Sequence, residues 1–310
     1  MREFVAPSEL YRSRQHRHRT LDAVGLDNCQ QVVELNGSDR ALVPITMQPM
    51  TSDPRWLTKH APAVLGRWWH QGVDLVFPPA CALCGDPAGL DDRIMLCPQC
   101  RKLVADAAPA CQRCGASLAV ANDDSDGCDH CEHHRLHFNA VVRLGRYRDV
   151  LRAVVLRMKR PRDRTLSIAL ACWLAAHRYD ELAALRADVV VPIPMHWRRR
   201  MWRGGNSPEI LADWLGRKLN VPVAGHLFKR RRATRPQMAL TPQERRKNVK
   251  GAFQAIKHRD LPGARVLVVD DIMTTGATAN EVAKTLREAG ASAVAVAVLA
   301  RTEEELGSGK

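Results

Sequence analysis

Two adjacent acids and a run of small, hydroxyl-rich residues are the part of this sequence best suited to chemistry. Asp270 and Asp271 follow the apolar run Val266 to Val269, and the next residues include Thr274, Thr275, Gly276, Ala277 and Thr278. The apolar run is typical of a strand buried in a parallel sheet, and the residues from Thr278 to Ala289 have apolar side chains at helical spacing. The segment therefore predicts strand, turn and helix, the place where open α/β sheets bind ligands.

The residue types in this turn predict a sugar-phosphate ligand. Threonine hydroxyls and the free N–H groups of a helix start can donate to a terminal monophosphate, and Gly276 lets the backbone approach closely. Paired carboxylates can accept hydrogen bonds from ribose hydroxyls, favour a nearby Mg²⁺ and stabilise a cationic sugar in the transition state. The alternative, a buried strand followed by an Asp-rich helix cap, would need only one such acid or threonine. The pattern resembles the phosphoribosyl pyrophosphate (PRPP) motif of type I phosphoribosyltransferases.

Two further segments carry groups that suit a pyrophosphate. The predicted strand Val189 to Ile193 leads into an arginine-rich stretch, whose guanidinium groups and backbone N–H groups can bind a diphosphate. That stretch could instead be an exposed basic loop, or bind nucleic acid with Trp197 and Trp202 stacked on bases. Residues 228 to 249 are polar and basic without a long apolar face, and we predict a lid that closes over the diphosphate. The residues assigned to the diphosphate in these segments are Pro194, Arg203, Gly204, Asn206, Arg235, Gln237, Arg245 and Asn248.

Eight of the ten cysteines form four C-x-x-C pairs. Two such knuckles make one tetrahedral Cys₄ zinc site, so we predict two structural Zn²⁺ ions in two zinc ribbons in series; a crossed pairing of the first knuckle with the third is the alternative. Disulfides fit poorly with a chain that shows no export signal, and a redox site would need only one pair. Neighbouring histidines could replace thiolates as ligands, although four thiolates already complete each site. The predicted ligands are Cys81, Cys84, Cys97, Cys100, Cys111, Cys114, Cys128 and Cys131.

Length and patterning divide the 310 residues into one α/β domain and smaller parts. Residues 1–55 are predicted to be a disordered basic arm. Alternatively, natural translation starts at Met47 or Met50, and the residues before that start do not belong to the natural protein. The other predicted parts are an amphipathic helix over 56–76, a double zinc ribbon over 77–137, the α/β domain over 138–303 and a tail over 304–310.

The charge balance of 47 Lys+Arg against 33 Asp+Glu gives a formal net charge of +14, which favours phosphorylated or nucleic-acid partners. The first twenty residues lack the apolar core of a signal peptide, and the apolar run from Ala291 to Ala300 is too short to span a membrane. We therefore expect a cytoplasmic protein.

Taken jointly, the motifs resemble the ComF family of bacterial proteins, over about residues 74 to 301. The resemblance rests on Phe77-Pro-Pro-x-Cys81-x-x-Cys84-Gly85, Leu156-x-x-Lys159, Val191-Pro-Ile-Pro194, Arg203-Gly204-x-Asn206, Arg235-x-Gln237, Arg245-x-x-Asn248-Val-x-Gly-Ala-Phe253 and Val269-Asp-Asp-x-x-Thr-Thr-Gly-Ala-Thr278. It implies a zinc ribbon joined to a type I phosphoribosyltransferase-like parallel sheet with helices on both faces. It also implies a link to natural competence and DNA uptake, and it adds Lys159 to the pyrophosphate set.

The chain departs from the family pattern in the loops. Gly205 stands where the family has an aromatic residue, Ser207-Pro208 replaces the usual Gln-Ala, and Arg160 replaces a common aromatic. Purine-salvage relatives often have an acid at the position of Thr274, so a 6-oxopurine acceptor is not expected.

Two functions follow as hypotheses. In the first, the protein binds PRPP with Mg²⁺ and transfers its phosphoribosyl group to an acceptor, with Asp270 and Asp271 as the catalytic acids. In the second, the ribbons and basic surface bind single-stranded DNA or a protein of the competence machinery. The phosphoribosyltransferase-like site then no longer catalyses a reaction and only senses a nucleotide.

Overall fold

The computed structural model describes residues 80–86, 94–106, 108–118, 128–132, 134–194, 207–232, 234, 240–256 and 261–302. The predicted arm over 1–55, the predicted helix over 56–76 and the tail over 304–310 lie outside the described residues.

A four-stranded parallel sheet forms the centre of the α/β domain. Its strand order is β1-β6-β5-β2, and a separate antiparallel pair, β3 and β4, precedes β5 in the chain. The strands are β1 (Ala140–Arg146), β2 (Val189–Pro192), β3 (Phe228–Arg230), β4 (Phe253–Ala255), β5 (Arg265–Met273) and β6 (Ala293–Arg301). The four parallel strands are mostly buried, as expected for a sheet with both faces covered.

The described helices fall before and between these strands. They are α1 (Pro98–Val104), α2 (Asp129–Glu132), α3 (Asp149–Arg157), α4 (Arg164–His177), α5 (Tyr179–Ala184), α6 (Ser207–Leu219), α7 (Pro242–Val249) and α8 (Ala277–Glu288). A 3₁₀ turn, Pro161–Asp163, joins α3 to α4.

The core confirms helices on both faces of the sheet. Val266 and Val268 share one apolar cluster with Val282 and Leu286 of α8, so this face of β5 is covered by α8. Alternate residues of β5 point to the opposite face. Because α4 and α6 pack against each other and against sheet strands, they are the helices that can cover that second face. The predicted architecture, a zinc ribbon region followed by a parallel α/β domain, is therefore confirmed.

Strand β5 is longer than the sequence predicts. The predicted strand ends at Val269, whereas the structure continues it to Met273, with Asp270 opposite Val298 and Met273 opposite Arg301 of β6. The acids therefore belong to the strand instead of the turn, because β6 extends equally far and offers backbone partners. This fixes the backbone of both acids.

The segment predicted as a lid contains regular structure. Lys229 lies in β3, which pairs with β4, and helix α7 follows from Pro242 to Val249. Helix α7 lacks an apolar stripe, so periodicity does not reveal it, but it has a complete capping box between Thr241 and Glu244 with Pro242 in the first turn. We call β3, β4 and α7 the hood.

The cysteines form two separate clusters of four thiols. Cys81, Cys84, Cys97 and Cys100 make the first, and the sulfur atoms of each cluster lie within 4.8 Å of one another. Sulfur separations are 3.7 Å for Cys84–Cys97, 4.0 Å for Cys111–Cys131 and 3.7 Å for Cys114–Cys128. A tetrahedral zinc ion with Zn–S bonds of about 2.3 Å would place sulfurs about 3.8 Å apart. The serial pairing is confirmed, and the thiols fit structural zinc.

In each cluster the pKa of one thiol is lowered, while that of at least one other thiol is raised. Burial acts to raise the pKa of Cys81, but backbone N–H groups of Cys84, Cys97 and Leu83 outweigh it and lower that pKa to about 6. Burial also opposes the backbone donors at Cys111, whose pKa is again lowered, while burial raises the pKa of Cys114. Backbone donors directed at sulfur are typical of zinc knuckles, because a metal keeps all four ligands as thiolates.

Both ribbons are attached to the α/β domain. Ribbon 1 (Cys81–Cys100) provides the carbonyls of Ala82 and Leu83 to the Arg157 guanidinium of α3. Ribbon 2 (Cys111–Cys131) provides the carbonyl of Cys114 to Arg301 Nε at 2.6 Å. Gly115 has φ +71° and comes so close to β1 that an added Cβ would lie 2.8 Å from Val141 Cγ1. These contacts hold the first knuckle of ribbon 1 against α3 and the first knuckle of ribbon 2 against the sheet.

Among the described residues, no helix is both long enough and apolar enough to cross a membrane.

Zinc loss should destabilise the whole protein. We expect two zinc ions per purified chain, and about one in Cys114→Ser, which removes a ribbon 2 ligand. The melting temperature of that variant should fall by roughly 5–10 °C, because structural zinc contributes folding free energy and each kcal/mol shifts Tm by about 2–4 °C at this size. Atomic absorption and thermal unfolding measure the two quantities. Cys172→Ala, which lies in α4, is the control and should keep both ions; full zinc content in Cys114→Ser would contradict the assignment.

Candidate functional site

The two acids lie at the carboxyl end of β5, where the buried strand leaves the core. Val266 to Val269 are fully buried or nearly so, and Asp270 and Asp271 are each partly exposed. Burial raises the pKa of Asp270 well above its usual value, and the negative charge of Asp271 raises it further. The backbone N–H of Asp271 donates to Asp270 Oδ1 at 2.8 Å and opposes this shift in part. Asp270 is therefore a carboxyl that holds its proton unusually tightly.

Asp271 is paired with a lysine from another part of the chain. Lys159 Nζ lies 3.0 Å from Asp271 Oδ2, and the two side chains are 25% and 14% exposed. Lys159 follows helix α3, whose C-cap is Met158. Sequence reasoning assigned Lys159 to the pyrophosphate; the structure brings it to the acids.

The turn after β5 ends at a glycine in the left-handed conformation. Gly276 caps α8 with φ +73°, a left-handed conformation that strains other residues. A Cβ at position 276 would lie 3.6 Å from Met273 Cε and 3.8 Å from Phe138 Cζ, so these apolar side chains pack against the loop. At the start of α8, Thr275 Oγ1 accepts weakly from the N–H of Ala277 at 3.4 Å.

The end of β2 reaches the same edge of the sheet. The N–H of Ile193 donates to the carbonyl of Val269 at 2.9 Å, which places Pro194 beside the start of the acidic pair. The predicted diphosphate residues Arg203, Gly204 and Asn206 lie outside the described residues. The same is true of Arg235 and Gln237.

The hood lies next to helix α8. Arg245 and Asn248 are half-buried on α7, which packs against α8. The N–H of Gly251 donates to Glu281 Oε1 of α8 at 2.7 Å, and Arg232 donates to the carbonyl of Asn248 at 2.9 Å. Arg245 and Asn248 thus lie on a helix that packs against α8, the helix that follows the loop.

Three structural residues escaped sequence reasoning. Asn280, in the first turn of α8, accepts from the N–H of His137 at 2.6 Å and donates to the carbonyl of Arg135, so it ties the segment leaving ribbon 2 to the loop helix. Arg301 and Arg157 attach ribbons 2 and 1. Their partners lie 74 to 187 residues away in the chain, and no local pattern signals such contacts.

The donor set fits a divalent cation and an oxygen-rich ligand. Two carboxylates are hard oxygen ligands of the kind that Mg²⁺ binds. The raised pKa of Asp270 means that the surroundings do not fully stabilise the negative charge of its ionised form. A bound cation would stabilise that charge. The helix start and the threonines offer donors to a phosphate on the other side.

Comparison with known proteins agrees with this architecture. Residues 72–132 match the family model described as a double zinc ribbon domain, and residues 210–307 match the phosphoribosyl transferase domain. A solved purine phosphoribosyltransferase from Pyrococcus horikoshii is 20% identical and aligns over 51% of this chain and 78% of its own, with a TM-score of 0.28, which supports no argument about function.

Two curated relatives cover most of their own length. "Competence protein F" of Haemophilus influenzae is 32% identical over 212 residues, which is 66% of this chain and 90% of that protein. "DNA utilization protein YhgH" of Salmonella typhi is 31% identical over 237 residues, 74% of this chain and 99% of that protein. With its double zinc ribbon, its phosphoribosyltransferase domain and these relatives, the chain belongs to the ComF family.

Proposed function

We propose that this ComF protein binds PRPP together with Mg²⁺ at the carboxyl end of β5 and transfers the phosphoribosyl group to an acceptor. The observation that carries the proposal is the adjacency of three features. A desolvated acid, Asp270, is followed by a second acid paired with Lys159, and both precede a helix start capped by a glycine at positive φ.

The loop from Thr274 to Thr278 is the part suited to the 5′-phosphate. Its threonine hydroxyls and the first N–H groups of α8 would donate to the phosphate at the positive end of the helix dipole. Met273 and Phe138 pack against the loop at Gly276. A loop held in this way would lose little conformational entropy when a phosphate binds.

The acids are suited to the ribose. Asp270 and Asp271 would accept hydrogen bonds from the ribose hydroxyls and stabilise positive charge at the anomeric carbon as its bond to the pyrophosphate breaks. When bound, Mg²⁺ would neutralise the diphosphate and favour loss of the proton that Asp270 holds. No covalent intermediate with the protein is needed, because alignment and charge stabilisation supply the rate.

The leaving pyrophosphate would meet the basic side of the site. Lys159 supports this role by its position, and Arg245 and Asn248 support it by lying on the hood beside α8. Closure of the hood would exclude water from the reacting carbon. Thr274 is not an acid, so the loop offers no general base for the acceptor, which favours an acceptor that is already nucleophilic.

A polyanion-binding function is the second candidate, and the surface of the hood favours it. Six basic side chains of the hood and the residues next to it are exposed: Lys229, Arg231, Arg232, Arg246, Lys247 and Lys250. A dense positive surface of this kind suits single-stranded DNA, in line with the names of the curated relatives. This function and PRPP binding are compatible, because these side chains differ from the loop and the acids.

Removal of the acids should abolish PRPP binding. Asp270→Asn combined with Asp271→Asn keeps the shape of both side chains and removes the charges that Mg²⁺ and the ribose need. Titration calorimetry with PRPP and Mg²⁺ should show binding to the wild type and a loss of at least about 100-fold in affinity in the double variant, or roughly 2.7 kcal/mol. Asp180→Asn, an exposed acid of α5, is the matched control and should bind normally. Equal affinity in all three proteins would place PRPP elsewhere.

Asp270 should make the ligand-free protein lose stability as the pH rises. A carboxyl with a raised pKa in the fold binds more protons folded than unfolded between its usual pKa and the raised one, so the free energy of unfolding falls across that interval. Asp270→Asn lacks this titration. The melting temperature of the variant minus that of the wild type should therefore increase as the pH rises above the usual carboxyl pKa of about 4. Thermal unfolding of both proteins measures the difference; a flat difference would show that Asp270 ionises normally.

DNA binding, if it uses the hood, should depend on salt in a countable way. Each phosphate contact to a single strand contributes about 0.7 to the slope of log affinity against log salt. The triple variant Arg231→Gln, Lys247→Gln and Lys250→Gln should lower that slope by about 2 in fluorescence anisotropy with a labelled oligonucleotide.

The matched control removes the same charge away from the hood, at the exposed residues Arg152, Arg162 and Arg186. An equal loss in both triple variants would indicate attraction by net charge alone and would rule out the hood as the DNA surface.

A further inference from the structure

The first zinc ribbon is connected to the acidic pair by a short chain of contacts through the end of helix α3. Arg157 is the last residue of α3. Its guanidinium donates to the carbonyl of Leu83 at 2.8 Å and to that of Ala82 at 3.2 Å. Both carbonyls belong to the turn between the ligands Cys81 and Cys84, so their direction depends on the knuckle that the thiolates form.

The turn that follows Arg157 is fixed on its other sides as well. Arg157 Nε donates to Asp163 Oδ1 of the 3₁₀ turn at 3.2 Å. Met158 is 3% exposed, and its carbonyl accepts from the hydroxyl of Ser167, a buried residue of α4, at 3.3 Å. The backbone of the turn is therefore held between ribbon 1, the 3₁₀ turn and α4.

Lys159 leaves this turn and reaches Asp271, with Nζ 3.0 Å from Oδ2. A free lysine side chain has many rotamers, so a lysine held in one place offers a ligand a cation that is already ordered. The position of its Cα decides whether Nζ reaches the acid at all. Only Met158 lies between it and Arg157, which makes the contact with ribbon 1.

We propose that Arg157 is a positioning residue through which ribbon 1 holds Lys159 at Asp271. Its effect on ligand binding rests on the proposed PRPP site, whereas its effect on Lys159 does not. The proposal gives ribbon 1 a role beyond folding: the zinc knuckle sets the direction of two carbonyls, these carbonyls set the end of α3, and the end of α3 sets the cation beside the acids.

The first test measures Lys159 directly and needs no ligand. The zinc-loaded full chain is labelled with limiting acetic anhydride, and acetylation of Lys159 is quantified by mass spectrometry. Arg157→Met keeps the apolar stem but removes the guanidinium, and it should raise labelling of Lys159 by about threefold or more, since an ion-paired amine reacts slowly. Arg152→Met, an exposed arginine of the same helix, should leave labelling unchanged.

In Arg157→Lys, labelling of Lys159 should lie between that of the wild type and that of Arg157→Met. One ammonium can reach one carbonyl, but it cannot bind two carbonyls at once as the guanidinium does. Zinc content and melting temperature are measured for each variant, and comparison is made among those that retain two ions. Unchanged labelling of Lys159 in folded Arg157→Met would overturn the proposal.

The second test is a double-mutant cycle on the affinity for PRPP with Mg²⁺. Lys159→Met should weaken binding about tenfold or more, and Arg157→Met about three- to tenfold. If Arg157 acts through Lys159, the double variant should bind like Lys159→Met alone. Additive losses would mean that Arg157 acts by another route and would overturn the positioning role. If the wild type does not bind PRPP, the proposed function is wrong. The labelling result still shows whether Arg157 holds Lys159 at Asp271.

Discussion

Two neighbouring carboxylates at the end of a buried strand are the constraint on which the rest of this site depends. Burial disfavours the charge on Asp270, and the adjacent charge of Asp271 disfavours it further. The structure offsets this cost only in part, through the backbone N–H of Asp271 and the ammonium of Lys159. A chain that needed only a stable strand end would do better with neutral residues. In the proposed function, a ligand that brings a cation would offset the remaining cost of ionising Asp270.

The two ribbons contact different elements of the α/β domain near the acids. Ribbon 1 contacts the end of α3, next to Lys159, and ribbon 2 contacts Arg301 at the end of β6. The segment leaving ribbon 2 is also bonded to Asn280 in the first turn of α8. Small zinc ribbons have little apolar core of their own, so their order comes from the metal and from the surface on which they pack. Here that surface surrounds the acids and the loop.

Local chemistry made part of this structure predictable from the sequence. The apolar run before Asp270 and the glycine before α8 act over a few residues, and the four C-x-x-C pairs identify the eight zinc ligands, although only the fold decides which knuckles share an ion. The extension of β5 to Met273 was missed, because it depends on the length of β6, which pairs with it. Helix α7 was missed because its faces are all polar, although the Thr241–Glu244 capping box marks its start.

Contacts between distant parts of the chain were beyond local reasoning. Lys159 was assigned to the pyrophosphate, and nothing near it in the sequence indicates that it meets Asp271, 112 positions away. Arg157 is one of many arginines in a basic chain, and only the fold shows that its guanidinium finds two carbonyls of a zinc knuckle. Residue types and spacing identify the groups that can do chemistry, whereas the packing of ribbons, hood and sheet decides which of them meet.

A crystal structure of the protein with PRPP and Mg²⁺ tests the central claim most directly. The expected result is a 5′-phosphate against Thr274 to Thr278, with the ribose hydroxyls at Asp270 and Asp271 and Lys159 still beside the acids. A ligand bound only to the exposed basic side chains of the hood, with the acids and the loop unchanged and empty, would contradict it.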